Sequence, residues 1–147
     1  MNPRTISRAA REAGVGVETI RFYERKGLVA QPLKPMDGGY RIYPAETVDR
    51  IRFIRQAQAL GFSLKEIDDL LSLRADPDAE CEDVRKRAAA KLEEVVRKTA
   101  QLRAIQDALE ELIRICPRRG PAARSCTILE ALSEAQEGGG GAPITDS

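Results

Sequence analysis

The chain contains one long stretch without a helix-breaking residue. From Cys81 to Ile115 there is no glycine and no proline, and good helix formers dominate the sequence. Because proline breaks a helix interior and glycine weakens it, this stretch predicts a single long helix. At 1.5 Å per residue, Cys81 and Cys116 would lie roughly 50 Å apart on it. The chain is therefore predicted to be mainly α-helical.

The long helix carries an apolar repeat of seven residues. One track, counted back in sevens from Cys116, consists of Leu109, Leu102, Val95, Ala88 and Cys81. A second track, offset by about half a repeat, consists of Ile113, Gln106, Thr99 and Leu92. Two such tracks predict a coiled-coil seam, here softened in the middle by its polar members. Residues 80–116 are therefore interpreted as a dimerisation helix.

Two short helices are predicted ahead of it, near the N-terminus. The first begins after Thr5 and is broken by Gly14, and the second begins near Gly16 and is stopped by Gly27. The short turn between them is typical of a helix-turn-helix. This unit is expected to belong to a domain over residues 1–75.

The segment from residue 29 to 44 has prolines, an Asp-Gly-Gly turn signal at residues 37–39, and alternating residues after it. This pattern predicts a β-hairpin, or wing. Pro44 suits the first turn of a third helix, which Gly61 ends. Ser63 followed by Glu66 is a capping box and predicts a fourth helix that runs to about Leu73.

Charge is unevenly distributed along the chain. Residues 1–60 contain 11 Lys/Arg and 6 Asp/Glu, whereas residues 61–147 contain 13 and 17, although the net charge is only +1. A basic N-terminal half is what a phosphate-binding surface needs, but such an excess is also common in proteins that bind no nucleic acid. The second helix could present polar groups to base edges, or it could be a solvated amphipathic face. The wing, with Tyr40 and Arg41 beside a glycine-rich turn, has the composition of a hairpin that approaches a phosphate backbone.

Three cysteines and no histidine are present. Cys81 and Cys116 are five heptads apart, so they occupy the same seam position at opposite ends of the long helix. If two chains pack antiparallel, Cys81 of one chain falls beside Cys116 of the other, and Cys126 can fold back to join them. This arrangement predicts two equivalent three-thiolate sites per dimer. The alternatives are a Cys116–Cys126 disulfide, and a Cys81 that only fills the seam as a small apolar residue.

Soft metal ions are the expected ligands of such a site. Thiolates select them, and the absence of histidine removes the ligand that zinc most often recruits beside cysteine. Three sulfurs suit mercury(II), or cadmium and lead, better than zinc, which prefers four ligands. Residues 116–135 are interpreted as a metal-binding loop with a short helix, and residues 136–147 as a flexible tail.

Several classes of protein are disfavoured. No apolar run is long enough to span a membrane, and no signal peptide is apparent, which predicts a cytoplasmic protein. Without histidine, paired acids or a phosphate loop, the chain is not expected to be an enzyme. A thiol redox sensor and a plain coiled-coil interaction protein remain as rival interpretations.

Three segments resemble the MerR family of transcription regulators: VETIRFYERKGL at residues 17–28, GGYRIYP at 38–44 and LGFSLKEIDDLL at 60–71. The resemblance extends over residues 4 to about 132. It implies a winged helix-turn-helix, a homodimer on promoter double-stranded DNA, and activation of RNA polymerase by DNA distortion when the effector binds. The residues that it implies for DNA binding are Glu18, Thr19, Arg21 and Tyr23 in the second helix and Tyr40 and Arg41 in the wing. The resemblance also supports Cys81, Cys116 and Cys126 as the metal ligands, with mercury(II) as the effector and zinc, cadmium or lead as alternatives.

Overall fold

The structure is a computed structural model that describes residues 3–134. Its helices are α1 (Ile6–Ala13), α2 (Val17–Arg25), α3 (Ala45–Ala59), α4 (Leu64–Ala75), α5 (Cys81–Ile115), α6 (Ala122–Ser125) and α7 (Thr127–Glu134). Over residues 3–134 there is no β-strand. The prediction of a mainly α-helical chain is confirmed, and the long helix has the predicted bounds.

The chain divides into two compact units within α5, at Met1–Leu92 and Glu93–Ser147. The first unit contains α1 to α4 and has one apolar core. Its most buried large side chains are Tyr43, Ile20, Ile51, Ile54 and Ile67. These residues come from α2, α3, α4 and the loop before α3, so the core fixes the helix-turn-helix against the two helices that follow it.

The turn between α1 and α2 depends on Gly14. Its φ is +72°, in the left-handed region that favours glycine, and its carbonyl accepts a hydrogen bond from Arg55 Nη1 at 2.6 Å. A Cβ at this position would lie 3.1 Å from that same nitrogen. The prediction that Gly14 ends the first helix is confirmed, and the close approach of an α3 side chain gives a second reason for glycine there.

The predicted capping box at the start of α4 is also confirmed. Glu66 N donates to Ser63 Oγ at 3.2 Å, and Ser63 N donates to Glu66 Oε1 at 2.8 Å. Pro44 is the N-terminal cap of α3 rather than a residue of its first turn. Helix α4 continues to Ala75, two residues beyond the predicted end.

The prediction of a β-hairpin before α3 is wrong. Residues 30–43, here called the wing loop, contain a turn in which Gly38 N donates to Pro35 O at 3.2 Å, but no strand pairs across it. Pro32 and Pro35 have no N–H to donate to a ladder, and the carbonyl of Pro32 accepts from Arg41 Nε at 2.9 Å. The hydrogen bond across the loop is therefore made by the Arg41 side chain, whereas in a β-hairpin it would be made between backbone groups.

The second unit has little interior. None of residues 93–134 is buried. The short helix α6 was not predicted, and α7 ends at Glu134; Ala135, where the last helix was expected to end, and the predicted tail at 136–147 lie outside the described residues. No helix in the described part of the chain is long and apolar enough to cross a membrane.

Candidate nucleic-acid interface and thiol loop

The outer face of α2 presents three of the residues predicted to contact DNA. Glu18 and Arg21 are exposed and form an ion pair, with 3.1 Å between Arg21 Nη1 and Glu18 Oε1, and Thr19 between them is half-buried. An exposed ion pair one helical turn apart contributes little to stability. Arg21 can therefore exchange this contact for a base edge or a phosphate, and Glu18 for a base amino group, at small cost.

Tyr23, also predicted to contact DNA, is placed differently. Its side chain is only 2% exposed, and its hydroxyl donates to Gln58 Oε1 at 2.6 Å. Burial raises the pKa of this phenol, so it stays a hydrogen-bond donor at neutral pH. The structure gives Tyr23 a packing role between α2 and α3, and a DNA contact by its hydroxyl, which would have to leave Gln58, stays a prediction.

A surface depression joins α2 to the wing loop. Its volume is about 250 Å³, and it is lined by Thr5, Ile6, Arg21, Gln31, Lys34, Gly39, Tyr40, Arg41 and Tyr43. Among these residues are three cations and no acid. The structure therefore brings together Arg21, Tyr40 and Arg41, which were predicted from two separate segments. Cations and hydroxyl groups on a surface are the groups that contact phosphates in protein–DNA complexes.

Lys34 was missed by the sequence interpretation. It lies between two prolines of the wing loop and lines the depression with Arg21 and Arg41. The signal for it was its position in a segment already interpreted as a wing. Tyr40, which lines the same depression, is 81% exposed and so is available to a ligand.

The wing loop is anchored at its C-terminal end by Tyr43. This side chain is 2% exposed, its hydroxyl donates to Glu24 Oε2 at 3.2 Å, and its backbone N–H donates to Arg4 O at 2.8 Å. Burial, together with the negative charge of Glu24, raises the pKa of Tyr43 to about 12. The phenol therefore remains protonated and keeps the wing loop attached to α2.

Some of the basic residues of the N-terminal half serve the fold. Arg52 Nη2 donates to Glu12 O at 2.5 Å, and Arg55 Nη1 donates to Gly14 O at 2.6 Å. Arg50 Nε donates to Leu28 O at 2.5 Å. These α3 arginines hold carbonyls at the ends of α1 and α2. The positive charge of the first 60 residues is thus divided between internal hydrogen bonds and the depression beside α2.

Lys91 attaches the first turns of α5 to α4. It is the only described residue of α5 that is buried, and its Nζ lies 2.8 Å from Glu66 Oε1 and 5.6 Å from the centre of the Phe62 ring. The hydrogen bond from Lys91, followed by that from the Ser63 backbone, lowers the pKa of the Glu66 carboxyl. Within the first unit, this contact holds the start of α5 against α4.

All three cysteines are free. Cys81 is exposed at the start of α5, whereas Cys116 and Cys126 are half-buried and line one depression of about 130 Å³. Its other lining residues are Pro117, Arg118, Arg119, Gly120, Ala122 and Ser125. The structure therefore brings two of the three predicted ligands together. Over residues 3–134 of one chain, no group of three or more possible ligands could hold a metal ion.

The backbone between Cys116 and Cys126, here called the thiol loop, is closed by specific contacts. Thr127 Oγ1 donates to Ile115 O at 3.0 Å, which connects the start of α7 to the end of α5. Gly120 has a φ of +102°, and a Cβ there would lie 3.0 Å from Ser125 Oγ. Arg118 also has a positive φ, of 68°. The loop is thus a defined turn, and it holds both cysteines at its ends.

A helix-turn-helix and a wing loop beside one cationic depression, followed by a long helix with an apolar repeat, are typical of a DNA-binding transcription regulator and not of an enzyme. Residues 4–73 match the family model described as MerR HTH family regulatory protein, and residues 48–112 match the one described as MerR, DNA binding. The chain belongs to the MerR family of transcription regulators.

Individual relatives cover most of the chain. The mercuric resistance operon regulatory protein of Pseudomonas fluorescens is 43% identical over 144 residues, which is 97% of this chain and 92% of the relative. The structure of the regulator PbrR691 of Ralstonia metallidurans with lead(II) is similar with a TM-score of 0.75 and 35% identity, over 86% of this chain and 97% of that one. The structure of MerR of Bacillus megaterium with mercury(II) has a TM-score of 0.67 and 38% identity, over 88% and 98%.

Proposed function

We propose that this chain is a homodimeric regulator that binds promoter double-stranded DNA and responds to a soft metal ion, with mercury(II) as the effector. The observation that carries the proposal is the position of the thiols. Cys116 and Cys126 line one depression, and Cys81 lies on the same heptad track as Cys116 at the other end of α5. The metal would be bound by Cys116 and Cys126 of one chain and Cys81 of the partner subunit.

The donor set fits a soft ion. The chain contains three cysteines and no histidine, and thiolates prefer mercury, cadmium and lead. Mercury(II) is favoured because the relative with 43% identity is a mercuric resistance operon regulator, and because a mercury(II) complex is among the similar structures. Lead(II) is supported by the other similar structure, and zinc and cadmium are further alternatives.

DNA binding is assigned to the outer face of α2 together with the depression beside it. Glu18, Thr19 and Arg21 would face base edges in the major groove, while Arg41 and Tyr40, with Lys34, would contact the phosphates beside it. The two halves of a homodimer would bind two half-sites of one promoter. Metal binding can change the DNA only if the DNA-distorting arrangement of the dimer binds the ion more tightly than the resting arrangement. The altered DNA shape would then allow RNA polymerase to use the promoter.

The cationic depression can be tested through the salt dependence of DNA binding. Removal of one cation that neutralises a phosphate should reduce the slope of log K against log salt by about 1. We expect this change for Lys34→Gln and for Arg41→Gln, each measured by fluorescence anisotropy on a promoter fragment. Lys86→Gln, an exposed lysine on α5, is the matched control and should leave the slope unchanged. Equal slopes in all variants would show that the depression does not contact the DNA phosphates.

The shared metal site can be tested by mixing inactive chains. Cys81→Ser and Cys116→Ser homodimers should each lose tight mercury(II) binding, measured by ultraviolet thiolate charge-transfer bands. A heterodimer of the two variants has one complete site, because one chain supplies Cys81 and the other supplies Cys116 and Cys126. Mixing should therefore restore one ion per heterodimer, compared with two for the wild-type dimer. Full binding by the Cys81→Ser homodimer would show that the site is not shared.

The rival thiol redox sensor makes a different prediction. If the cysteines act by oxidation, Cys126→Ser should abolish a response to peroxide and leave the response to mercury(II) intact. If the cysteines instead form the metal site, Cys126→Ser should abolish the response to mercury(II), since Cys126 is one of the ligands. Transcription from the promoter in vitro, measured with each effector in turn, separates the two functions.

A further inference from the structure

We propose that Arg118 and Arg119 give the metal site a preference for ions whose complex with three thiolates carries a net negative charge. The inference deepens the proposed function and rests on it. It concerns the thiol loop, in which these two side chains line the same depression as Cys116 and Cys126. The preference would separate divalent soft ions from trivalent arsenic, which binds the same sulfur ligands.

The electrostatic surroundings of the two thiols are one-sided. Residues 117–125 contain three arginines and no acidic residue, and the lining of the depression includes two of those arginines and no carboxylate. A guanidinium is always charged in a protein, so both groups supply positive charge at any working pH. The side chains that line the depression with Cys116 and Cys126 therefore carry positive charge and no negative charge before any ion binds.

The backbone supports a specific role for Arg118. Its φ of 68° places an arginine in the left-handed region, which a residue other than glycine rarely occupies. Such a conformation costs free energy and tends to occur where function requires it. Glycine would adopt this conformation without strain, whereas arginine adds a charged side chain to the depression that Cys116 also lines.

The charge of the complex follows from its chemistry. When a divalent ion binds three thiols, three protons are released and the complex has a net charge of −1. When arsenous acid, As(OH)₃, binds three thiols, three As–O bonds are replaced by As–S bonds, three waters leave, and the complex is neutral. Positive charge near the sulfur atoms therefore stabilises the first complex and has little effect on the second.

The experiment compares two probes on the full-length dimer: lead(II) as the divalent ion and arsenous acid as the neutral ligand. Dissociation constants are measured from thiolate absorption bands, with a competing chelator or dithiol. At an exposed site one charge changes affinity by a few-fold. We expect Arg118→Gln with Arg119→Gln to weaken lead(II) binding about ten-fold and arsenic binding less than two-fold. The difference should shrink in 1 M salt, where charges are screened.

Arg124→Gln is the matched control, because it removes the same charge from the same loop but from a residue that does not line the depression. It should change neither constant by more than about two-fold. Arg118→Lys with Arg119→Lys keeps the charge and should retain lead(II) binding, which separates charge from loop structure.

Equal weakening of both probes in the glutamine variant would overturn the inference, since it would show that the arginines only shape the loop. No weakening of either probe would overturn it as well. In both cases the wild-type dimer would still bind metal, so the proposed function would stand. If the wild-type dimer gave no thiolate bands with any soft ion, the proposed function and this inference would fail together.

Discussion

The two units of the chain differ in how their apolar residues are covered. In Met1–Leu92 the helices enclose a core in which Ile20, Ile51 and Ile54 are fully buried. In the described residues from 93 onward no residue is buried, and Leu102 and Ile113 remain 66% and 64% exposed. The first unit therefore owes its structure to its own side chains. The second unit is helical because its residues favour a helix locally, and its exposed apolar repeat is available to another chain.

The largest effect is expected in the core of the first unit. Ile54→Ala removes a side chain with no exposed surface and leaves a cavity, which should lower the free energy of unfolding by about 3 kcal/mol. The measurement is urea unfolding followed by circular dichroism at several protein concentrations, and the loss should not depend on concentration. Gln56→Ala, an exposed change on the same helix, should cost less than about 0.5 kcal/mol. A loss below about 1 kcal/mol for Ile54→Ala would mean that this core does not hold the unit.

A smaller and concentration-dependent effect is expected in the apolar repeat. Leu102→Glu places a charge on the proposed seam and should raise the dissociation constant of the dimer about 30-fold, equivalent to about 2 kcal/mol. Sedimentation equilibrium measures this constant directly. Because Leu102 is 66% exposed in the single chain, the folding of the first unit should not change. Gln101→Glu is the control, and equal dissociation constants for the two variants would place the dimer interface elsewhere.

The sequence predicts those parts of the fold that depend on local signals. Gly14 and the Ser63–Glu66 capping box mark helix ends within a few residues, so the helix-turn-helix and α4 could be placed without knowledge of tertiary contacts. The same holds for α5, which contains no breaker. The short helix α6 was missed because a segment with two prolines, a glycine and three arginines gives no periodic pattern.

Contacts between distant residues could not be predicted in this way. The β-hairpin prediction rested on the turn signal at residues 37–39 and the alternating residues after it. That local pattern could not show that the Arg41 side chain would bond to Pro32 O. Nothing in the sequence indicated that Lys91 would be buried. In the candidate metal site, the short loop between Cys116 and Cys126 allowed the sequence to predict that these two thiols lie near each other. A role for Cys81 depends on a second chain and stays a prediction.

The smallest effect concerns the ion pair between Glu66 and Lys91, which holds the start of α5 against α4 within the first unit. Glu66→Gln keeps a carbonyl that can cap Ser63 N but removes the charge that lies 2.8 Å from Lys91 Nζ. Since the Glu66 side chain is 43% exposed, solvent screening limits the loss to about 0.5 kcal/mol. Glu111→Gln, which removes an exposed ion pair with Arg114 in the second unit, should leave unfolding of the first unit unchanged.

The effect of Glu66→Gln should also depend on pH in a definite direction. The hydrogen bond from Lys91 lowers the pKa of Glu66 in the folded state below its ordinary value of 4.5. Because the ionised form of Glu66 is favoured in the folded protein, its contribution to stability is present in full above pH 4.5. The contribution is lost as the pH falls through the pKa that Glu66 has in the folded state. The free energies of unfolding of wild type and Glu66→Gln should therefore differ at about pH 7 and converge as the pH falls below 4.5. A constant difference over this range would mean that Glu66 stabilises α5 by packing and not through its charge.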